Sequence, residues 1–144
     1  MTRPDISDWN GCPVRYFAGL FGDKWSLVIL RDLMFMGKRS YGAFLGSGEG
    51  IATNVLAARL KHLEEIGVVR RETPAARGAR AVYLLTERGR SLLPVLLAII
   101  EWSAANDPQS EAPASFVAEI RQAPEALRQR LEAAIAEADG QALG

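Results

Sequence analysis

The feature that most constrains this chain is a row of aliphatic residues spaced four, three and three apart. The row consists of Leu56, Leu60, Leu63 and Ile66. This spacing predicts a helix over residues 51–66 with one buried stripe, and Gly67 is expected to end it. Before this helix, Ser40 is placed to cap a brief helix, and the glycine-rich run 46–50 predicts a turn. A short helix, a turn and a longer helix together predict a helix-turn-helix.

The sequence after Gly67 changes to the pattern of β-strands. Residues 68–73 and 81–85 are rich in β-branched, aliphatic and aromatic side chains, and the segment between them contains Pro74 and Gly78. Such runs, joined by turn-forming residues, predict a β-hairpin. A hairpin directly after a helix-turn-helix is a wing.

Further helices are predicted on both sides of this unit. Apolar residues recur at helical intervals from Trp25 to Met36, and Gly37 is expected to end that helix. A long helix is predicted from Thr86 to about Ala105, where Pro94 could bend it. Its apolar face is wider than one small domain can cover, which favours a second subunit.

The last part of the chain predicts an interrupted amphipathic tail. Helical patterns cover residues 116–121 and 124–138, with Pro124 near the first helical position and Leu127, Leu131 and Ile135 on one stripe. Surplus apolar surface of this kind also favours contact with a second subunit. The predicted fold class is mainly α with a small β-hairpin wing.

Composition narrows the classes of function. The 144 residues include one cysteine and one histidine, so no intramolecular disulfide, metal site or cofactor is expected. We find no nucleophile-elbow, phosphate-loop or metal-ligand spacing, and the glycine-rich run 46–50 follows a helix rather than a strand. An enzyme is therefore not the preferred interpretation.

Charge is distributed unevenly although the formal net charge is zero. Residues 24–90 contain 12 Lys and Arg against 6 Asp and Glu, and the flanks carry the opposite excess. A basic centre between acidic flanks is typical of nucleic-acid binding if the charges share a face, although chance clustering gives the same count. The first residues lack a signal-peptide core and the apolar run 92–100 is too short to span a bilayer, so a cytoplasmic protein without membrane contact is expected.

The order of these motifs resembles the HxlR family of bacterial winged-helix transcription factors. The matching positions are Cys12-Pro13-Val14, Gly22-Asp23-Lys24-Trp25, Leu30-Arg31-Asp32-Leu33, Gly50-Ile51-Ala52, Leu56, Arg59-Leu60, Leu63-Glu64, Gly67, Val69, Tyr83, Leu85-Thr86, Gly89 and Trp102. The resemblance spans roughly residues 12–104. The chain departs from the family pattern at three places. Arg39-Ser40-Tyr41 stands where the family commonly has an Arg-Phe pair, and Ala52 stands where a serine usually caps the helix. The wing also contains less proline than is usual in the family.

The resemblance makes residues 51–66 the expected recognition helix. Advancing about 100° per residue from the leucine stripe places its outward side chains towards DNA. The predicted DNA-binding residues in this helix are Thr53, Asn54, Ala57, Ala58 and Lys61. Asn54 could pair with adenine, the alanines could contact a thymine methyl, and Lys61 is expected to reach a phosphate. Asn54 could instead be merely a solvated residue of the first turn.

Residues outside the recognition helix are expected to position the protein on the duplex. Arg77 and Arg80 flank Gly78 at the wing tip and could enter a minor groove or simply aid solubility. Arg39 and Ser40, at the start of the short helix, could bind phosphate. Arg59 leans towards the buried side, where a structural ion pair is at least as good an interpretation. His62 is expected to be an exposed helix residue.

Cys12 and the aromatic residues are candidates for sensing a signal. In several family members a cysteine in this position responds to oxidants or electrophiles, and a nearby Arg15 or Lys24 would favour the reactive thiolate. The alternative is an inert cysteine that packs as a small hydrophobe. The aromatic residues Trp9, Phe17, Phe21, Trp25 and Trp102 could line a ligand cavity, but core and dimer packing is the simpler interpretation.

These observations predict a homodimeric transcriptional regulator that binds double-stranded DNA at an inverted repeat and responds to an oxidant or a small molecule. Residues 1–106 would form the winged helix-turn-helix domain, including N-terminal and long dimerisation helices, and residues 107–144 a helical C-terminal extension. Two alternatives stay open, namely a winged-helix protein-interaction module without DNA binding and a small enzyme.

Overall fold

A computed structural model describes residues 11–144, which form eight helices and one two-stranded sheet. The elements are α1 (Pro13–Phe21), α2 (Ser26–Phe35), α3 (Tyr41–Leu45), α4 (Thr53–Glu65), β1 (Val69–Glu72), β2 (Val82–Leu85), α5 (Glu87–Arg90), α6 (Leu93–Asn106), α7 (Ala114–Gln122) and α8 (Pro124–Leu143). The mainly helical fold with a hairpin wing is confirmed. Trp9 lies outside the described residues.

The helix-turn-helix forms where the capping residues predict it. The Ser40 hydroxyl accepts a hydrogen bond from the backbone N–H of Ala43 at 3.1 Å and so caps α3. At the end of α4, Gly67 has a φ of +78°, and the N–H of Val68 donates to the carbonyl of Leu63 at 3.1 Å. This glycine-dependent C-cap ends the helix and turns the chain directly into β1.

The predicted wing is an antiparallel hairpin whose register pairs Val69 with Leu85 and Glu72 with Val82. Val69 and Leu85 are buried in the core. The joint between α4 and the wing is fixed by Thr86, whose hydroxyl donates to the carbonyl of Gly67 at 2.6 Å and whose N–H donates to the carbonyl of Val68 at 3.1 Å.

The single long helix predicted from Thr86 to Ala105 is wrong, because the chain forms two helices there. Thr86 caps the short α5, and α6 begins at Leu93 with Pro94 in its first turn. Proline lacks an N–H and favours the first turn of a helix, so it marks a start rather than a bend. Gly89 is required in α5, since a Cβ there would lie 2.0 Å from the carbonyl oxygen of Val68.

The C-terminal tail packs against its own chain. Helix α7 begins earlier and ends later than the predicted range 116–121, whereas α8 begins at Pro124 as predicted and extends beyond residue 138. Leu127 and Ile135 are 1% exposed, and together with Ile120 they belong to the same hydrophobic cluster as the helix-turn-helix. Leu127 and Ile135 thus pack within their own chain rather than against a second subunit as expected, whereas Leu131 stays half-buried.

The core lies between α2, α4, the wing and α8. Its fully buried side chains include Leu30, Leu33, Phe44, Leu56, Leu60, Leu63, Leu84 and Leu93. Among residues 11–144, none of the helices combines the length and apolar character that a bilayer crossing requires.

Candidate nucleic-acid interface

Helix α4 has one face in the core and the opposite face in solvent. Leu56, Leu60 and Leu63 are at most 2% exposed. The side chains predicted to face DNA are all exposed, namely Thr53, Asn54, Ala57, Ala58 and Lys61. The structure therefore brings these five residues together on one surface of the size that a major groove accepts.

Three polar contacts hold α4 in place. The Tyr41 hydroxyl donates to the carbonyl of Thr53 at 2.9 Å and links α3 to the start of α4. Arg59 lies 3.4 Å from the carboxylate of Asp23, which supports its structural interpretation. His62 is half-buried rather than exposed, because its Nε2–H donates to the carbonyl of Leu20 at 2.7 Å and fastens α4 to α1.

Asp23 organises the start of α2 as well as the contact with α4. Its carboxylate accepts from the N–H groups of Trp25 and Ser26 at 2.8 Å each and from the Ser26 hydroxyl at 2.6 Å. Burial acts to raise the pKa of Asp23, but these hydrogen bonds and the charge of Arg59 outweigh it and hold the pKa below its ordinary value. From the sequence, Asp23 was recognised only within the Gly22-Asp23-Lys24-Trp25 motif, without a structural role.

The turn between α3 and α4 is tied to α2 by an ion pair. Arg31 donates from Nη1 to Glu49 at 2.8 Å and from Nη2 to Asp32 at 2.8 Å. The hydrogen bond from Arg31 is the main cause that lowers the pKa of Glu49. Glu49 therefore stays ionised and restrains the turn that leads into α4.

The phosphate contact predicted for Arg39 disagrees with the structure. Its guanidinium is buried, donates to the Asp139 carboxylate at 2.8 Å, and also donates to the carbonyls of Leu33 and Ile135. An arginine that is satisfied inside the fold is not positioned to reach a phosphate. Ser40 is half-buried and uses its hydroxyl oxygen to cap α3.

The wing carries exposed arginines at its tip. Arg77 and Arg80 are exposed on either side of Gly78, whose φ is +75°. Arg71, on β1, is also exposed and was missed by the sequence analysis. The Arg70-Arg71 pair within a predicted strand was the available signal, since a two-stranded wing leaves one face open to solvent. The wing thus adds positive charge that lies outside α4.

The sequence profile described as HxlR-like helix-turn-helix matches residues 20–111, which include α2, α3, α4, the wing and α6. The chain belongs to this HxlR-like family. It is 39% identical over 88 residues to the HTH-type transcriptional regulator sll1512 of Synechocystis sp., a match that covers 61% of this chain and 64% of that protein. The chain thus spans somewhat less than two thirds of sll1512.

Solved structures of other proteins share the fold. The crystal structure of PA1607 is 40% identical, with a TM-score of 0.63 and coverage of 72% of each chain. The redox regulator HypR in its oxidised form is 33% identical, with a TM-score of 0.60 and coverage of 66% of this chain and 97% of that one. These matches agree with the winged helix-turn-helix described above.

Of the sensing candidates of this HxlR-like chain, Cys12, Phe17 and Phe21 lie at or within α1. Cys12 is half-buried and occupies the N-cap position of α1. The rings of Phe17 and Phe21 are tilted by 36° with centroids 4.7 Å apart, and Phe21 is buried, which favours packing over a ligand cavity. Trp102 is 70% exposed on α6. No cluster of metal-ligating side chains occurs within residues 11–144.

Proposed function

We propose that this chain is a homodimeric transcriptional regulator that reads an inverted-repeat DNA site with α4. The observation that carries the proposal is the exposed α4 face of Thr53, Asn54, Ala57, Ala58 and Lys61 opposite a fully buried leucine stripe. Small side chains at Ala57 and Ala58 allow close approach to base edges, and Asn54 can pair with adenine. Family membership and relatives named as transcriptional regulators support the same function.

Contacts with the backbone of DNA would come from basic side chains of the wing tip and of α4. Arg77 and Arg80 at the wing tip, with Lys61 at the side of α4, supply charges that position the protein without specifying sequence. Arg39 is not among them. Ser40 stays a proposed contact through its hydroxyl hydrogen, because its oxygen serves the cap of α3.

Apolar surface left open in one protomer supports the homodimer. Val14 on α1 is 75% exposed, and Ile99 and Trp102, three residues apart on α6, are exposed on one face of that helix. Large exposed apolar side chains on one helix face, such as Ile99 and Trp102, commonly mark a subunit contact. Two recognition helices related by a two-fold axis would then enter successive major grooves about 34 Å apart.

The test begins by selecting bound fragments from a random duplex library. Titrations of the selected and a scrambled duplex at two salt concentrations would then compare Asn54→Ala, Arg77→Ala and a control, Gln129→Ala on the exposed side of α8. Asn54→Ala should change the base preference at one position of the DNA site, where the difference in binding free energy between bases should change by about 1–3 kcal/mol. Arg77→Ala should weaken binding to both duplexes and reduce the salt slope by roughly one.

Either of two results would contradict the proposal. If both variants bind like the parent, α4 and the wing are not the DNA-binding surface. If the parent selects no sequence at any salt concentration, the protein-interaction alternative is favoured. The dimer is tested separately by sedimentation equilibrium, where Trp102→Glu should shift the parent dimer towards monomer.

A further inference from the structure

An apolar pocket of about 470 Å³ lies where the C-terminal extension meets the helix-turn-helix domain. Its apolar walls are formed by Phe35, Met36, Ile100, Phe116 and Leu131. Phe116 and Leu131 belong to α7 and α8, which lie beyond the residues that the family profile matches. The pocket is therefore a product of this chain's extension.

The size and lining of this pocket suit a small molecule. Ligand pockets commonly measure about 300–1,000 Å³ and are mostly apolar with a few polar groups. Phe35 and Phe116 meet edge to face with centroids 5.9 Å apart, and both are half-buried, so parts of their rings remain open to the pocket. By contrast, the depression between α5 and α8 is lined largely by charged residues.

The pocket is separate from the proposed dimer surface of α6. Ile99 and Trp102 are three residues apart and share a face of the helix. Ile100, which lines the pocket, is turned about 100° from Ile99 and so belongs to another face. A dimer built on Ile99 and Trp102 would leave the pocket accessible.

The charged groups at the pocket favour a cation. Arg31 lines it, but its guanidinium is already paired with Asp32 and Glu49. Glu111 also lines the pocket and is exposed, and no ion pair involves it within the part of the chain that the structure describes. The two helix ends at the pocket, the C-terminus of α2 and the N-terminus of α7, have opposite dipoles that offset each other.

We propose that this pocket binds a lipophilic aromatic cation as an effector, with the phenyl rings of Phe35 and Phe116 contacting the ligand and Glu111 providing the counter-charge. Aromatic rings attract cations through their negatively polarised faces, and this attraction adds to the burial of apolar surface. The regulatory role rests on the proposed DNA-binding function, whereas ligand binding itself does not.

A direct path connects the pocket to the DNA-binding unit. Arg31 is both part of the pocket wall and the partner of Glu49, which lies in the turn directly before α4. A ligand that displaces Arg31 would release or reorient that turn. The affinity for DNA would then differ between the empty and the occupied protein, as linkage requires.

The experiment compares two ions of matched shape and opposite charge. Tetraphenylphosphonium and tetraphenylborate are titrated into the full chain by calorimetry in sodium buffer, without DNA. We expect the cation to bind about tenfold more tightly than the anion. Glu111→Gln should remove most of that preference. Ala112→Phe, which places a ring into the pocket, should abolish binding, whereas Ala126→Phe on the exposed side of α8 should not.

Three results would each refute the proposed ligand site. Equal or tighter binding of the anion, or binding that survives Ala112→Phe, refutes the assignment of the pocket. A change of oligomeric state in Ala112→Phe would show that the pocket is a contact between two copies of the chain, and it too refutes a ligand site.

The regulatory step is tested with the selected duplex. Saturating tetraphenylphosphonium should change duplex affinity by at least threefold in the parent, and Glu49→Gln should remove this effect while the cation still binds. An unchanged affinity in the parent refutes the effector role. A chain that binds the cation but no duplex refutes the proposed function and the effector role together, and it leaves the binding site supported.

Discussion

Breaking the ion pair between Arg39 and Asp139 should cost far more stability than breaking any surface pair among residues 11–144. Their side chains are 5% and 18% exposed and their charged atoms lie 2.8 Å apart, so the pair joins α8 to the segment before α3 inside the fold. Removing one partner of a buried pair costs about 3–5 kcal/mol, because the other charge stays buried. Arg39 keeps the carbonyls of Leu33 and Ile135 as acceptors, which places Asp139→Ala at about 3 kcal/mol.

The assay is urea and thermal unfolding at one fixed protomer concentration, since dimerisation would otherwise shift the apparent stability. A loss of about 3 kcal/mol should lower the melting temperature by roughly 6–12 °C for a chain of this size. The matched control is Arg130→Ala, also on α8, which removes an exposed pair with Glu119. That pair should contribute less than about 1 kcal/mol.

A double variant separates the pair from its surroundings. Arg39→Met with Asp139→Leu removes both charges and keeps apolar volume, so it should recover much of the stability lost in Asp139→Ala. If Asp139→Ala destabilises the chain no more than Arg130→Ala does, the guanidinium is not confined inside the fold. The reasoning from burial would then be refuted, and the phosphate role of Arg39 would be open again.

Three further predictions concern other parts of the chain. The folded state lowers the pKa of Asp23, so the stability that Asp23 contributes should be complete above about pH 4, the unfolded value, and should disappear as pH falls through the folded pKa. Acid unfolding followed by circular dichroism should therefore show a smaller loss of stability with falling pH in Asp23→Ala than in the parent, and the same pH dependence in both would contradict this. Diamide should release DNA from the parent but not from Cys12→Ser, by joining the thiols of two copies; equal release from both would exclude Cys12 as the sensor. Gly89→Ala should lower the free energy of unfolding in urea by about 1–3 kcal/mol or more, because its Cβ meets the carbonyl of Val68. Gly140→Ala has open space around it and should stabilise α8 by up to about 1 kcal/mol. Similar effects of the two variants would refute the close approach at Gly89.

Local patterns predicted the part of the fold that local physics determines. The spacing of Leu56, Leu60 and Leu63 fixed which face of α4 is buried, and Ser40 and Gly67 marked helix ends through their own backbone and side-chain chemistry. The exposed face of α4 followed from the same periodicity. These features depend on neighbours within a few residues, which a single sequence displays.

Features that depend on distant partners were not predictable in this way. Arg39 finds its carboxylate 100 positions away, and His62 its carbonyl acceptor 42 positions away. A polar side chain next to a helix start or on a helix flank gives the same sequence pattern whether it contacts water or another element of the fold. The stripe of Leu127 and Ile135 was recognised as buried, but periodicity cannot distinguish a partner in the same chain from one in a second copy.

The two hydrogen bonds from Thr86 to the Gly67–Val68 joint have a mechanical consequence. They tie the short segment between the end of α4 and the start of β1 to the residue that caps α5. A movement of the following helix, α6, would therefore carry α4 and the wing together as one rigid unit. In the proposed dimer, the distance between the two units would change while the contacts inside each unit are kept.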